Sequence, residues 1–148
     1  MIRKATLDDA ARMTAIFNQN LPVLVPDNNP QALEVLQAGH GVEQFRERMT
    51  DSHWLCKVYE NTHSECEGFI CVRLPQHIFS LYVTPPRQGD GIGTQLFDCI
   101  LKELTVASFT VNASAHSLGF YSKLGFIAQS ECQTQNGVQF TPMTLLLR

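Results

Sequence analysis

The sequence predicts a mixed α/β fold, a central mixed sheet flanked by helices, and three observations predict it. Strand-like and helix-like apolar spacing alternate along the chain. One strand runs through a glycine-rich turn straight into a helix, and an Asn-Gly pair joins the last two strand-like runs. A helical crossover implies parallel pairing at that point of the sheet, and the hairpins imply antiparallel pairing elsewhere.

The elements follow in order. Ile2 to Ala5 reads as a short strand, and Thr6 with Asp8 and Asp9 as a helix start, because acidic groups favour the positive end of the helix dipole. Ala10, Met13, Ile16 and Phe17 form a helical stripe within residues 8–18. Pro22, Pro26 and the Asp27-Asn28-Asn29 cluster are expected to stop that helix near Leu21. Pro30, capped by Asn29, opens a second helix, which Gly39 and Gly41 divide into two pieces ending near Met49. Trp54 to Tyr59 and Gly68 to Arg73 form a hairpin across a polar loop, and His77 to Val83 is a central strand. A helix from Gly91 to about Leu104 buries Ile92, Leu96, Ile100 and Leu104 on one face. Ser108 to Asn112 is the next strand, Ala115 to Leu124 a short helix closed by Gly125, and Phe126 to Cys132 and Gln139 to Leu147 are the closing strands.

The chain has 148 residues, 11 basic against 14 acidic side chains and a formal charge of −3. That length suits one domain, residues 1–148. There is no basic surplus for a phosphate backbone, so nucleic acid is not an expected partner. No run approaches the roughly 18 apolar residues that span a bilayer, and the N-terminus has no signal-like segment. A cytoplasmic protein with no membrane partner is expected. The five cysteines include no CxxC pair and fit neither a disulfide framework nor a zinc site. Cys56, Cys71, Cys99 and Cys132 lie in apolar runs and read as buried, leaving Cys66, in a polar loop, as the expected exposed thiol. His40, His53, His63 and His116 lack metal-ligand spacing and read as surface or capping groups; no metal site is expected.

Chemistry concentrates in the turn after the central strand. Gly89, Gly91 and Gly93 let backbone approach a ligand closely, and the unpaired N–H groups and dipole of the next helix favour an anion such as a phosphate or pyrophosphate. A P-loop would need a lysine that is missing. A dinucleotide fingerprint would need glycine in place of Thr94 and an acid near Asn112.

Val83, then Gln88-Gly-Asp-Gly91-Ile-Gly93 and a helix bearing Leu96, resembles the Q/R-x-x-G-x-G/A acetyl-CoA motif of the GNAT superfamily of N-acetyltransferases. Val111-Asn-Ala-Ser114 followed by Gly119-Phe-Tyr121-Ser-Lys-Leu-Gly125-Phe126 resembles its second signature, and the element order covers the chain. The resemblance implies a fold in which the central strand and its parallel neighbour splay to admit the pantetheine arm. Leu81, Tyr82 and Val83 would then give main-chain contacts. The amides of Gln88, Gly89, Gly91, Gly93 and Thr94 would hold the pyrophosphate, Arg87 or Gln88 would add a side chain, and Asn112 and Ser114 would flank the cofactor. Many members carry Asn where Ser114 stands, so Ser114 is expected chiefly to cap the helix. Tyr121 holds the family's general-acid position. His77, six residues before Val83, stands where the histone-modifying branch keeps a catalytic glutamate, and its ordinary pKa suits a base.

The acceptor side, by the same resemblance, comprises the segment Leu21 to Pro30 and the region around Phe140 and Met143. It suits a small amine with an apolar body, although a mobile loop or a homodimer contact explains the apolar segment equally well. The expected activity is acetyl transfer from acetyl-CoA to a primary amine of a small molecule. A protein or peptide amine, or a non-catalytic acyl-CoA-binding module, are the alternatives.

Overall fold

The computed structural model describes residues 1–148. Strands β1 (Ile2–Lys4), β2 (Trp54–Glu60), β3 (Cys66–Arg73), β4 (His77–Val83), β5 (Ser108–Ala113), β6 (Ile127–Ala128), β7 (Gln133–Gln135) and β8 (Val138–Leu146) accompany helices α1 (Ala10–Leu24), α2 (Pro30–Gly39), α3 (Val42–Thr50), α4 (Ile92–Glu103) and α5 (Leu118–Lys123). The sheet order is β1-β2-β3-β4-β5-β8-β6, with β7 also on β8. Every pairing is antiparallel except β4 with β5, which α4 connects. No helix is long and apolar enough to cross a membrane.

Both faces of the central strands are covered, so β3 reads as a nearly continuous apolar run. Phe69 and Cys71 join Met13, Ile16, Phe17 and Phe45 from α1 and α3 in one core. Ile70 and Val72 join Ile92, Leu96, Phe97 and Ile100 of α4, with Phe109 and Val111 of β5, in the other. A bulge interrupts the β3–β4 ladder: Cys71 faces Ser80, then Val72 faces Ile78, leaving Phe79 as the extra residue. Phe79 and Ser80 consequently both contact groups on the α1 side, while Ile78 and Leu81 belong to the α4 core.

Three expectations need correction. Helix α1 does not stop near Leu21 but runs through Pro22 to Leu24. Pro22 is exposed and removes only the N–H that would reach the Asn18 carbonyl, itself on an exposed residue, whereas Leu21 and Val25 are buried and hold the last turn. The expected strand from Phe126 to Cys132 is broken into β6 and β7. Its partner β8 contains Pro142, which has no N–H to donate; Gln129 still donates to the Pro142 carbonyl, and the ladder lapses beyond it.

Cys66 is not an exposed thiol. It opens β3, is buried, and donates its S–H toward the Gly68 carbonyl at 3.5 Å, while Arg12 Nε of α1 donates to the Cys66 carbonyl at 3.0 Å. Burial pushes its thiol up to about 11. Cys132, expected to be buried, is exposed on the bend between β6 and β7, and Cys99 is half-buried on α4.

Candidate functional site

The parallel contact between β4 and β5 is two residues long, His77 opposite Thr110 and Ile78 opposite Val111. Past Ile78, β4 remains paired with β3 as far as Val83 but has no partner on its β5 side. The strands open into a cleft whose walls include Leu81, Tyr82 and Val83 on one side and Ser114 and Tyr121 on the other. Splayed strands leave backbone groups facing the gap, which a ligand amide can pair with.

The turn lies at the mouth of this cleft. Gly89 (φ 87°) and Gly91 (φ 84°) occupy left-handed conformations, and a Cβ on either would meet nothing within 4 Å. Gly91 caps α4, whose first backbone bond is Gln95 N–H to the Gly91 carbonyl at 3.0 Å. The amides of Gly89, Gly91, Ile92, Gly93 and Thr94 make no hydrogen bond within the protein. Gln88 departs from expectation, since its amide donates to the Pro85 carbonyl at 3.2 Å. Its side chain folds back, Nε2 donating to Asn20 Oδ1 at 2.8 Å and to the Val83 carbonyl at 3.0 Å. The Arg87 guanidinium is held by Glu67 and Asp90. Gly93 serves packing as well, because a Cβ there would lie 3.2 Å from the Phe120 ring.

The cleft encloses a cavity of about 400 Å³ whose lining contains no aspartate or glutamate. Its cationic lining includes Lys123 of α5, which forms no ion pair. Five free amides, a helix N-terminus and an uncommitted lysine suit a polyphosphate. Ser114 is not the cap of α5, which is Ser117, but opens the turn that leads into it: Ser117 N–H donates to its Oγ at 3.3 Å and Leu118 N–H to its carbonyl at 3.1 Å.

Tyr121 projects from α5, its ring edge-on to Phe120 (5.1 Å) and Phe126 (5.3 Å). The residue is only 4 % exposed, yet its hydroxyl has no hydrogen-bond partner in the protein and it lines the cleft. Burial, reinforced by Tyr82, raises its pKa well above the ordinary phenol range, so it carries its proton at neutral pH.

The sequence profile described as an acetyltransferase (GNAT) domain matches residues 24–147. The chain belongs to the GNAT acetyltransferase family. No curated protein sequence matches it. Among solved structures it resembles a protein from Rhodopseudomonas palustris described as a GCN5-related N-acetyltransferase and class-II aminotransferase, at 28 % identity and TM-score 0.84 over 99 % of this chain and 95 % of that one. It also resembles the PaiA N-acetyltransferase of Thermoplasma acidophilum, solved with coenzyme A, at 17 % identity and TM-score 0.80 over 99 % and 98 % of the chains. A third is a ribosomal-protein-alanine N-acetyltransferase from Brucella melitensis, at 20 % identity and TM-score 0.71 over 99 % of each chain.

This GNAT acetyltransferase has a second cavity of about 400 Å³ behind the cleft, and the two share Leu24, Leu81, Tyr82, Ser114 and Tyr121 as lining. Val35 and Leu36 of α2, Phe79 of the bulge, and Val138 and Phe140 of β8 make much of its wall apolar. The tip of the β7–β8 hairpin closes one side: a Cβ on Gly137 would lie 3.0 Å from Asn29 Oδ1 and 3.1 Å from the Ala32 nitrogen at the start of α2. His77 lines this second cavity and not the first, with Nδ1 2.8 Å from Thr110 Oγ1. Burial, and then Arg73, lowers its pKa below the usual histidine value. Asn112, expected beside the cofactor, also lies in the second cavity instead. Along β5 the alternation buries Val111 and Ala113 and leaves Asn112 between them exposed.

His40, read as a surface or capping group, is a cap but not a surface group. It caps the C-terminus of α2, but it is buried, stacked on Phe17 at 3.8 Å between ring centroids. Nδ1 sits 2.7 Å from the Leu36 carbonyl and must donate to it, so Nε2 accepts from Ser80 Oγ at 2.9 Å. Burial holds its pKa down to about 4. Asn20 was missed as well: buried on α1, its Nδ2 donates to the Ile16 carbonyl (2.9 Å) and the Val83 carbonyl (3.2 Å), tying the helix to the end of β4. Its neighbours in sequence carry the helical stripe that predicted α1, but nothing local marks a side chain that reaches across 63 residues.

Proposed function

We propose that this enzyme transfers acetyl from acetyl-CoA to the primary amine of a small molecule, by direct attack while both are bound. The observation that carries the proposal is the wall common to the two cavities, where Leu81, Tyr82 and Tyr121 border both. Acetyl-CoA supplies an activated acyl thioester. The free amides from Gly89 to Thr94 hold its pyrophosphate with Lys123 nearby, and the edge of β4 beyond Ile78, open except for the Val83 carbonyl that Asn20 and Gln88 occupy, aligns its arm.

An amine in the second cavity then meets the thioester carbonyl through the shared opening. The N–C bond forms as the C–S bond breaks, and positioning accounts for much of the acceleration. A β4 amide near Tyr82 or Val83 polarises the carbonyl. Tyr121, protonated and without a competing partner, donates to the departing sulfur. His77, kept neutral by burial, removes the amine proton through water, since three steps of the β3 ladder, about 10 Å at 3.3 Å each, separate it from Leu81.

The test is thiol release from acetyl-CoA across a panel of small primary amines, paired with calorimetric binding of acetyl-CoA. Amine-dependent release is expected. Release confined to protein amines would replace the small-molecule acceptor, and binding with no release on any amine would overturn transfer.

A further inference from the structure

The second cavity is unusual for a site that must receive an amine. Among its 20 lining residues there is no aspartate or glutamate, although the chain has 14 acidic residues against 11 basic. Its one permanently charged side chain is Arg73, at the end of β3 directly opposite His77. Arg73 forms no ion pair, in contrast to Arg3, Arg46 and Arg87. Gln135, Asn136 and Gln139 of the hairpin contribute only neutral polar groups.

From this placement, and resting on the acetyl-transfer function proposed above, we infer that the acceptor is an elongated α-amino acid derivative or short peptide whose acid group is held by Arg73. Its α-amine lies at the opening beside Tyr121, and its apolar body lies against Leu36, Phe79 and Phe140. A lysine-like or polyamine acceptor fits poorly. With no carboxylate to hold an ammonium and Arg73 to repel one, such a group enters only as the free base. An α-amine (pKa about 7.7–8.0) supplies a few hundredfold more free base near neutral pH than a lysine-type amine (about 10.4). Length is fixed by the strand. Arg73 stands level with His77, and Ile70, the partner of Leu81, is three residues from it along β3, so amine and acid lie about 10 Å apart. A tetrapeptide spans this distance and a dipeptide, at about 7 Å, does not.

The experiment compares Ala-Leu-Leu-Ala as free acid and as C-terminal amide, with the Ala-Leu pair as length control, on the native enzyme and Arg73→Gln. Steady-state acetylation and calorimetric binding of the N-acetylated peptides are both measured, so that binding is read even if turnover fails. The native enzyme is expected to prefer the tetrapeptide acid to its amide by about tenfold or more in both readouts, falling as salt is raised. The dipeptides show no such preference, and Arg73→Gln brings the tetrapeptide ratio near one. A ratio near one in the native protein, a ratio unchanged in Arg73→Gln, or a preference for dicationic amines overturns the inference. Loss of turnover with the binding preference intact would instead count against the transfer mechanism.

Discussion

Substituting Gly91 by alanine isolates the turn's conformational contribution. Gly91 has φ 84° and ψ 7°, and a Cβ there meets nothing within 4 Å, so no collision adds to the backbone penalty. An L-residue in this left-handed geometry costs about 1–2 kcal/mol. If the variant keeps the geometry, the loss falls on stability, about 2–8 °C in Tm for a domain of this size. If the free protein relaxes the turn, the amides of Gly91 to Thr94 lose their aim and the loss falls on CoA affinity, up to roughly thirtyfold in Kd. The two losses together should come to about 1–2 kcal/mol, measured by denaturant melts and calorimetric titration of CoA on the same preparation. A variant that melts and binds CoA like the native protein would refute the assignment of the turn as a preformed anion site.

Three more outcomes follow from the same structure. His40 is neutral in the fold, with a pKa near 4 against an unfolded value of about 6.5. Its contribution is therefore intact above pH 6.5 and lost as pH falls toward 4. About 2–3 kcal/mol of stability should disappear between pH 7.5 and 4.5, and His40→Gln should flatten that part of the profile in urea melts. Lys123→Ala should weaken CoA binding by about tenfold at low salt and reduce the salt dependence of Kd, with little change in Tm, because Lys123 forms no ion pair in the protein. His77→Gln should remove an acidic limb of kcat lying below about pH 6.5, the direction that burial and Arg73 dictate; an unchanged limb would remove His77 from the mechanism.

The parts of the fold legible in the sequence are those with local signatures. The stripe Ile92, Leu96, Ile100 predicted the buried face of α4, and Gly125 closes α5 at φ 102° as a left-handed cap should. What the sequence hid depends on distant partners. Pro22 signals a break, but burial of Leu21 and Val25 against other elements outweighs one lost hydrogen bond. Cys66 sits among polar neighbours, and only the arrival of α1 with Arg12 covers it. The site divides the same way. The glycines of the turn could be read from their spacing, whereas Gln88 and Arg87 looked like ligand groups and are occupied by Asn20, Glu67 and Asp90. His40 lacked any ligand spacing, so its role as a buried ring bonded to Ser80, 40 residues away, had no sequence signal.

Tyr121→Phe tests the central claim most directly, because it removes one hydroxyl and keeps the ring that packs on Phe120 and Phe126. With any acceptor that supports thiol release, kcat should fall by about a hundredfold or more while the Kd for acetyl-CoA changes by less than about twofold. An unchanged kcat, or a parallel loss of kcat and cofactor affinity, would contradict a role for Tyr121 as the proton donor at the junction of the two cavities.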